Sequence, residues 1–279
     1  MSSEASLPEF ETGLSAALAC KRNFACFASS PEEILGALPG SRLRVLLLED
    51  FNSIGSEPFL NGREAPHVIV LATMHDLPAR KQNEVARWLR MLKKSYSGLI
   101  CVATIVAHDK RGLGTTNYLR RQFWFATRGP RRACDVLPVS EPGVFTVHPA
   151  VHRYVLDILI HIRMHRLLDH SQAGGASSSS ADDVLDLCQW LCSVNHPTKT
   201  FVTPDDVQQA CAWYFPMHLD VIRLPQQESS VLYGTSMKVA EDLLSGLHTF
   251  LKKTETAHNP LLLETLIVQD VLNKVVPAT

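Results

Sequence analysis

The sequence lacks an excess of either charge: 27 Lys and Arg against 28 Asp and Glu leave a net charge of −1 over 279 residues. Global electrostatics therefore offer no general attraction for a polyanion. It also lacks any apolar run near the roughly 18–20 residues needed to cross a bilayer. The longest candidates, residues 68–74 and 155–160, are core-sized, and no membrane insertion is expected. The opening MSSEASLPEFE holds acids and no basic region, so no secretory leader is expected. Seven cysteines, odd in number and irregularly spaced, make no disulfide framework and suit a reducing compartment, cytoplasm or nucleus. What is present is 46% hydrophobic residues beside 20% charged ones, a balance that excludes disorder over the whole chain. The length fits one or two domains.

The patterning changes near residue 148. Before it, residues 24–28 (FACFA) read as a strand. Ser29, Ser30, Pro31, Glu32 and Glu33 follow as a helix start, with a capping hydroxyl and acids in the first turn. Residues 42–49 (RLRVLLLE) and 67–72 (HVIVLA) are continuous apolar runs, which suit strands buried on both faces of a parallel sheet. Residues 52–65 between them read as a loop, and Pro39-Gly40 as a helix stop. Pro78 opens a helix through Val85, Trp88, Leu89 and Leu92, and residues 98–106 (GLICVATIV) form another buried strand. Alternating strands and helices indicate an α/β layered domain. Beyond it, a long helix runs through Val151, Tyr154, Val155, Ile158, Leu159 and Ile162. Residues 171–180 (SQAGGASSSS) read as a flexible loop. Helices are expected at 182–193, at 204–214 behind Thr203-Pro204-Asp205-Asp206, and as amphipathic segments at 231–252 and 260–276.

The order of these elements over residues 147–219 carries a resemblance. A helix with a Tyr and a basic end, a Gly-Ala-Ser loop, a second helix and FVTPDDVQQACAWYFPMHL together resemble the helical lid of AAA+ proteins of the MoxR and magnesium-chelatase I-subunit type. Within that type the chain is similar to a fungal magnesium-chelatase-like group. The preceding half then aligns in order. Residues 68–92, with Leu77, Pro78 and Gln82, are similar to the Walker B strand and its helix. Residues 99–106 with Gly112-Leu113-Gly114 are similar to the sensor 1 strand and loop, and residues 118–125 (YLRRQFWF) to the arginine-finger segment. The resemblance implies an AAA+-like parallel sheet flanked by helices over residues 1–146. It implies a helical lid over 147–222 and a short helical C-terminal extension over 223–279.

The chemistry of that family is what the chain does not supply. ATP hydrolysis on this fold uses a Gly-rich loop with Lys and Ser/Thr for phosphate and Mg²⁺, and no GxxxxGK[ST] occurs. Ser29 and Ser30 stand in its slot, followed by two carboxylates that would repel a triphosphate. The Walker B acids are replaced by Ala72 and Thr73, with Asp76 displaced downstream; Thr104 stands near the sensor 1 Asn; no Arg lies within 177–184 for sensor 2. The arginine-finger slot falls near Gln122, beside Arg120 and Arg121. Five displaced elements predict a pseudo-ATPase: no catalytic residue, no nucleotide or metal cofactor, and a scaffold or adaptor role with protein partners, another AAA+ subunit among them. A first alternative is an ATPase subunit that lends Arg120 or Arg121, with Arg128 as a further phosphate contact, to a partner's ATP site.

A second alternative rests on charge. Residues 87–132 hold eleven Lys and Arg, one acid (Asp109), and the aromatics Phe123, Trp124 and Phe125. Clustered cations with interleaved aromatics bind nucleic acid through phosphates and stacking; an acidic protein partner or a structural use is the favoured reading. Cys188, Cys192 and His196 have partial zinc spacing, but zinc needs four ligands, and the cysteines fall on the apolar side of a helix. His161 and His165 share a helix face with no HExxH, and no GxSxG elbow occurs. The His-Asp pairs at 75–76 and 108–109 follow strands without a completing group. The apolar faces of the C-terminal helices pack on the lid or dock a partner.

Overall fold

A computed structural model of the chain describes residues 7–38, 43–52, 54, 66–106, 114–134, 143, 145–253 and 259–277. Two compact units emerge, one over Leu7–Pro142 and one drawn from Gly143–Thr279.

The first unit runs α1 (Phe10–Cys20), β1 (Phe24–Phe27), α2 (Pro31–Ala37), β2 (Val45–Leu48), β3 (Val68–Leu71), α3 (Ala79–Ser95), β4 (Ile100–Ile105), α4 (Asn117–Arg120) and β5 (Ala126–Thr127). The strands form one sheet in the order β2-β3-β4-β1-β5, parallel at every pairing. The expected α/β class with a parallel sheet is therefore the observed one. Every residue of β1, β3 and β4 is buried, as continuous apolar runs demand. β2 departs from the expectation: it is the edge strand, and all four residues are half-buried. β5 has two residues, too few to carry any periodicity. Phe24 pairs in register with Val102, Val102 with Val70, and Val68 with Ile100, and these residues and Cys26 share a core with Phe10 and Leu14 of α1 and Ile34 of α2. Asn23 anchors the sheet, accepting from Cys101 N–H at 2.9 Å and donating to Gln122 O at 3.2 Å.

The second unit comprises α5 (Pro149–Arg163), a 3-10 segment (His170–Gly175), α6 (Ser180–Asn195), α7 (Pro204–His218), α8 (Ser229–Leu232), α9 (Met237–Lys253) and α10 (Leu262–Lys274). Pro sits in the first turn of α5 and α7, where its missing N–H costs nothing. Thr203 and Asp206 close a capping box on α7, with Thr203 N–H donating to Asp206 Oδ2 at 2.9 Å. The core gathers Tyr154, Ile158, Leu187, Trp190, Val207 and Phe215. α10 packs against α7 and α5, so the C-terminal segment belongs to this unit. Three expectations change. Residues 171–180 are not a loose loop: Gly174 N–H donates to Asp169 O at 3.0 Å, Arg163 Nε to Ala176 O at 2.9 Å, and Ala176 is fully buried. The helix expected over 231–252 breaks at Gly234, whose φ of 94° lies outside the helical region. α7 continues past Tyr214 to His218, with Pro216 inside its last turn. No helix among the described residues is long and apolar enough to cross a membrane.

Two glycines should respond to alanine with opposite signs. Gly175 has φ +87°, and a Cβ there would lie 1.9 Å from His218 O. Gly175→Ala is expected to destabilise the protein by at least about 2 kcal/mol. Gly36, inside α2, has nothing within 4 Å of its Cβ position. Gly36→Ala is expected to stabilise by about 0.5–1 kcal/mol. Urea denaturation of both variants checks the pair.

Candidate functional site at the carboxyl edge of the sheet

A parallel sheet delivers the C-terminal ends of its strands to one edge, and ligands of open α/β folds bind there. Three residues, Ala28, Ser29 and Ser30, join β1 to α2. Ser29 donates from both N–H and Oγ to Glu33 Oε2, at 2.9 and 2.6 Å. Glu33 lies in the first turn of α2, so the chain's own carboxylate takes an amide that faces phosphate in a nucleotide-binding turn. The segment after β5 closes on the same turn: a Cβ on Gly129 would meet Phe27 O at 2.5 Å and Glu33 Oε1 at 3.3 Å. A hydrogen bond from Ser30 holds the exposed Glu32 carboxyl below its usual range.

At the end of β3, Ala72 and Thr73 follow the strand and carry no acid. Asp76 lies further along with its side chain 78% exposed, 3.6 Å from His75. Thr104, opposite Cys26 in the β1–β4 register, is buried, and its Oγ1 has no hydrogen-bond partner among the described residues. Arg120 is buried and donates to Asn117 Oδ1, whereas Arg121 is exposed at the end of α4. Arg128 pairs with Glu9 at 3.7 Å, and its N–H donates to Pro8 O at 2.9 Å. Ser29 and Ser30 thus follow the end of β1 and Thr104 lies one residue before the end of β4, whereas the Asp76 side chain is exposed. Gly112, Leu113 and the His108-Asp109 pair lie outside the described residues, as do Pro39-Gly40 and most of 52–65.

Gln82, singled out in the sequence by its spacing from Leu77 and Pro78, is buried and fully engaged. It donates to Leu77 O at 2.9 Å and Gly114 O at 3.0 Å, and accepts from Thr116 N–H at 2.7 Å. One amide thereby joins the loop after β3 to the approach of α4. In the second unit, the start of α6 holds Ser180 and Asp183, each 3.2 Å from Tyr214 OH, where the resemblance implies an arginine.

The other constellations are structural. Cys188 and Cys192 are core residues whose thiols face Asp206 O at 3.7 Å and Phe201 O at 3.8 Å. Burial pushes the Cys192 thiol up to about 12 and raises Cys188 well above its usual value; His196 is exposed at the helix end. His165 meets Asp270 of α10 at 3.3 Å, and burial lowers its imidazole against the pull of that carboxylate, while His161 Nδ1 lies 2.8 Å from Asp157 O. Among the described residues no group of three or more His, Cys, Asp or Glu converges as a metal site. Phe123, Trp124 and Phe125 are buried and present no stacking surface.

No protein-family model matches the chain. Maintenance of telomere capping protein 2 of Eremothecium gossypii is 76% identical over 278 residues, covering 100% of each chain. The chain belongs to the maintenance of telomere capping protein 2 family. The telomere capping protein 2 of Lachancea thermotolerans is 34% identical over 285 residues, covering 99% of this chain and 98% of its own. That of Kluyveromyces lactis is 32% identical over 285 residues. Among solved structures, a protein of Cytophaga hutchinsonii described as a candidate ATPase superposes with a TM-score of 0.54. It covers 95% of this chain and 88% of its own at 9% identity, a likeness of fold alone. This telomere capping protein 2 family member therefore shares its α/β fold with that protein. The role of Glu33 is what the sequence did not reveal: it reads as one of two repelling acids until its return to Ser29 is seen.

The Gln82 junction makes a prediction. Gln82→Ala strands three backbone partners and is expected to destabilise by about 2–3 kcal/mol. Asp76→Ala, at an exposed site, should stay within about 0.5 kcal/mol of the parent. Equilibrium denaturation separates the two.

Proposed function

We propose that this chain is a non-catalytic AAA+-like scaffold, a pseudo-ATPase of the MoxR and magnesium-chelatase type, whose second unit corresponds to the helical lid. It acts through protein–protein contacts, and the names of its relatives support a place for that role in telomere capping, in the nucleus. The observation that carries this reading is the Ser29–Glu33 contact. A carboxylate fixed at the strand-to-helix turn repels a triphosphate where a nucleotide enzyme attracts one. The acid-free end of β3 and the Ser180–Tyr214 pair at the start of α6 agree with it. Catalytic residues and resident cofactor are accordingly absent from this proposal.

Calorimetric titration of the full-length chain with ATP and Mg²⁺ tests it. No binding heat and no shift in melting temperature are expected at millimolar nucleotide. Saturable binding, or ATP turnover lost in Asp76→Ala, would overturn the reading.

One observation favours a second reading, in which the chain lends an arginine to a neighbouring AAA+ subunit's ATP site. Arg121 is exposed at the end of α4, unlike buried Arg120. On that reading, mixing with the partner ATPase raises its turnover about 10³-fold or more, the scale of an arginine finger. Arg121→Ala abolishes the rise.

A further inference from the structure

Two sets stand out among the described cations of residues 87–132. One set is used internally: Arg120 lies buried on Asn117, Arg128 pairs with Glu9 at 3.7 Å, and Arg132 pairs with Glu11 at 3.7 Å. The other set faces outward on α3. This helix buries Val85, Ala86, Trp88, Leu89 and Leu92 against its own unit. At a 3.6-residue repeat the opposite side carries Arg80, Glu84, Arg87, Met91 and Lys94, with Arg90 beside them. Glu84 answers only the N-terminal end of that line, pairing with Arg80 at 3.6 Å and Lys81 at 3.1 Å. From Arg87 to Ser95 the helix has no acid at all. Arg87 and Lys94 are exposed and form no ion pair among the described residues. Between them Met91 is 59% exposed, an apolar side chain in the middle of a cationic face. Arg90 is exposed and rests its guanidinium 4.9 Å from the Tyr118 ring centroid, which steadies it beside the same face.

Resting on the scaffold reading above, we infer that the outer face of α3 from Arg87 to Lys94 docks an acidic amphipathic segment of a partner protein, with carboxylates on Arg87 and Lys94 and an apolar side chain on Met91. The two cations lie two turns apart, about 10 Å along the axis, which matches carboxylates two turns apart on a partner helix. A duplex nucleic acid would be held by the charges alone, and would draw nothing from Met91 or from the buried aromatics. Met91 therefore decides between the two classes of partner. The cations set encounter and orientation, and the flexible thioether accepts apolar side chains of varied shape.

The experiment uses the full-length chain and two labelled probes: a synthetic helical peptide with Glu two turns apart flanking Leu, and a mixed-sequence DNA duplex of similar charge. Fluorescence anisotropy at low salt is expected to show saturable peptide binding that weakens as salt is raised. Arg87→Glu with Lys94→Glu should weaken it at least about tenfold, and Met91→Ala about threefold, with DNA binding unaffected by Met91→Ala. All three positions are exposed, and circular dichroism checks that the variants keep the parent fold. Absence of peptide binding by the parent, unchanged binding by the charge-reversed variant, or peptide binding insensitive to Met91→Ala would each overturn the inference. Neither probe contains nucleotide triphosphate, so failure here is distinct from failure of the ATP titration.

Discussion

The first unit depends on one constraint: β1, β3 and β4 are buried on both faces of an all-parallel sheet. Parallel neighbours cannot be joined by tight hairpins, so each connection must cross over. Every strand then ends at the same edge, which fixes where any site of this unit can lie. Residues 28–30, the run from Ala72 to Pro78, Thr104 and Gly129 all belong to that edge. Asn23 holds one end of the arrangement and Gln82 the other, each satisfying backbone groups from two segments distant in sequence. Buried amides of this kind specify position because their alternatives leave polar groups without partners.

That edge has the geometry of a phosphate site and the wrong charge for one. A helix N-terminus after a buried strand favours an anion, and here the anion is Glu33, covalently part of the chain. The contact satisfies Ser29 and orders a three-residue turn, so it stabilises the local fold. The same economy holds around it. Arg120, Arg128 and Arg132 are held by Asn117, Glu9 and Glu11, and the thiols of Cys188 and Cys192 are held in the core of the second unit. Groups that suggest chemistry by type alone are spent on structure.

Among the described residues, the outer face of α3 carries Arg87 and Lys94 exposed to solvent. In the second unit, polar pairing is similarly local: the Thr203–Asp206 box starts α7, Asp270 joins His165 to α10, and Tyr214 closes on the first turn of α6. Close approach of the His170–Gly175 segment to the end of α7 leaves space for hydrogen alone at Gly175. Gly, Ala and Ser in that stretch therefore mark tight packing, whereas their composition suggests a linker.

The sequence by itself determined the α/β class, the parallel sheet and the change to a helical second half. It also shows that no GxxxxGK[ST] motif occurs. Each of these is written locally, as an apolar run, a helical period, a capping pair or a missing motif. Tertiary structure alone decided that β2 is an edge strand, that two residues at 126–127 complete the sheet, and that Gly234 parts α8 from α9. It alone decided which of the clustered cations face outward. Register, burial and ion pairing join residues far apart in the chain, such as Glu9 with Arg128 or Gln82 with Gly114. No local pattern encodes those partnerships, because they exist only once the strands are laid side by side.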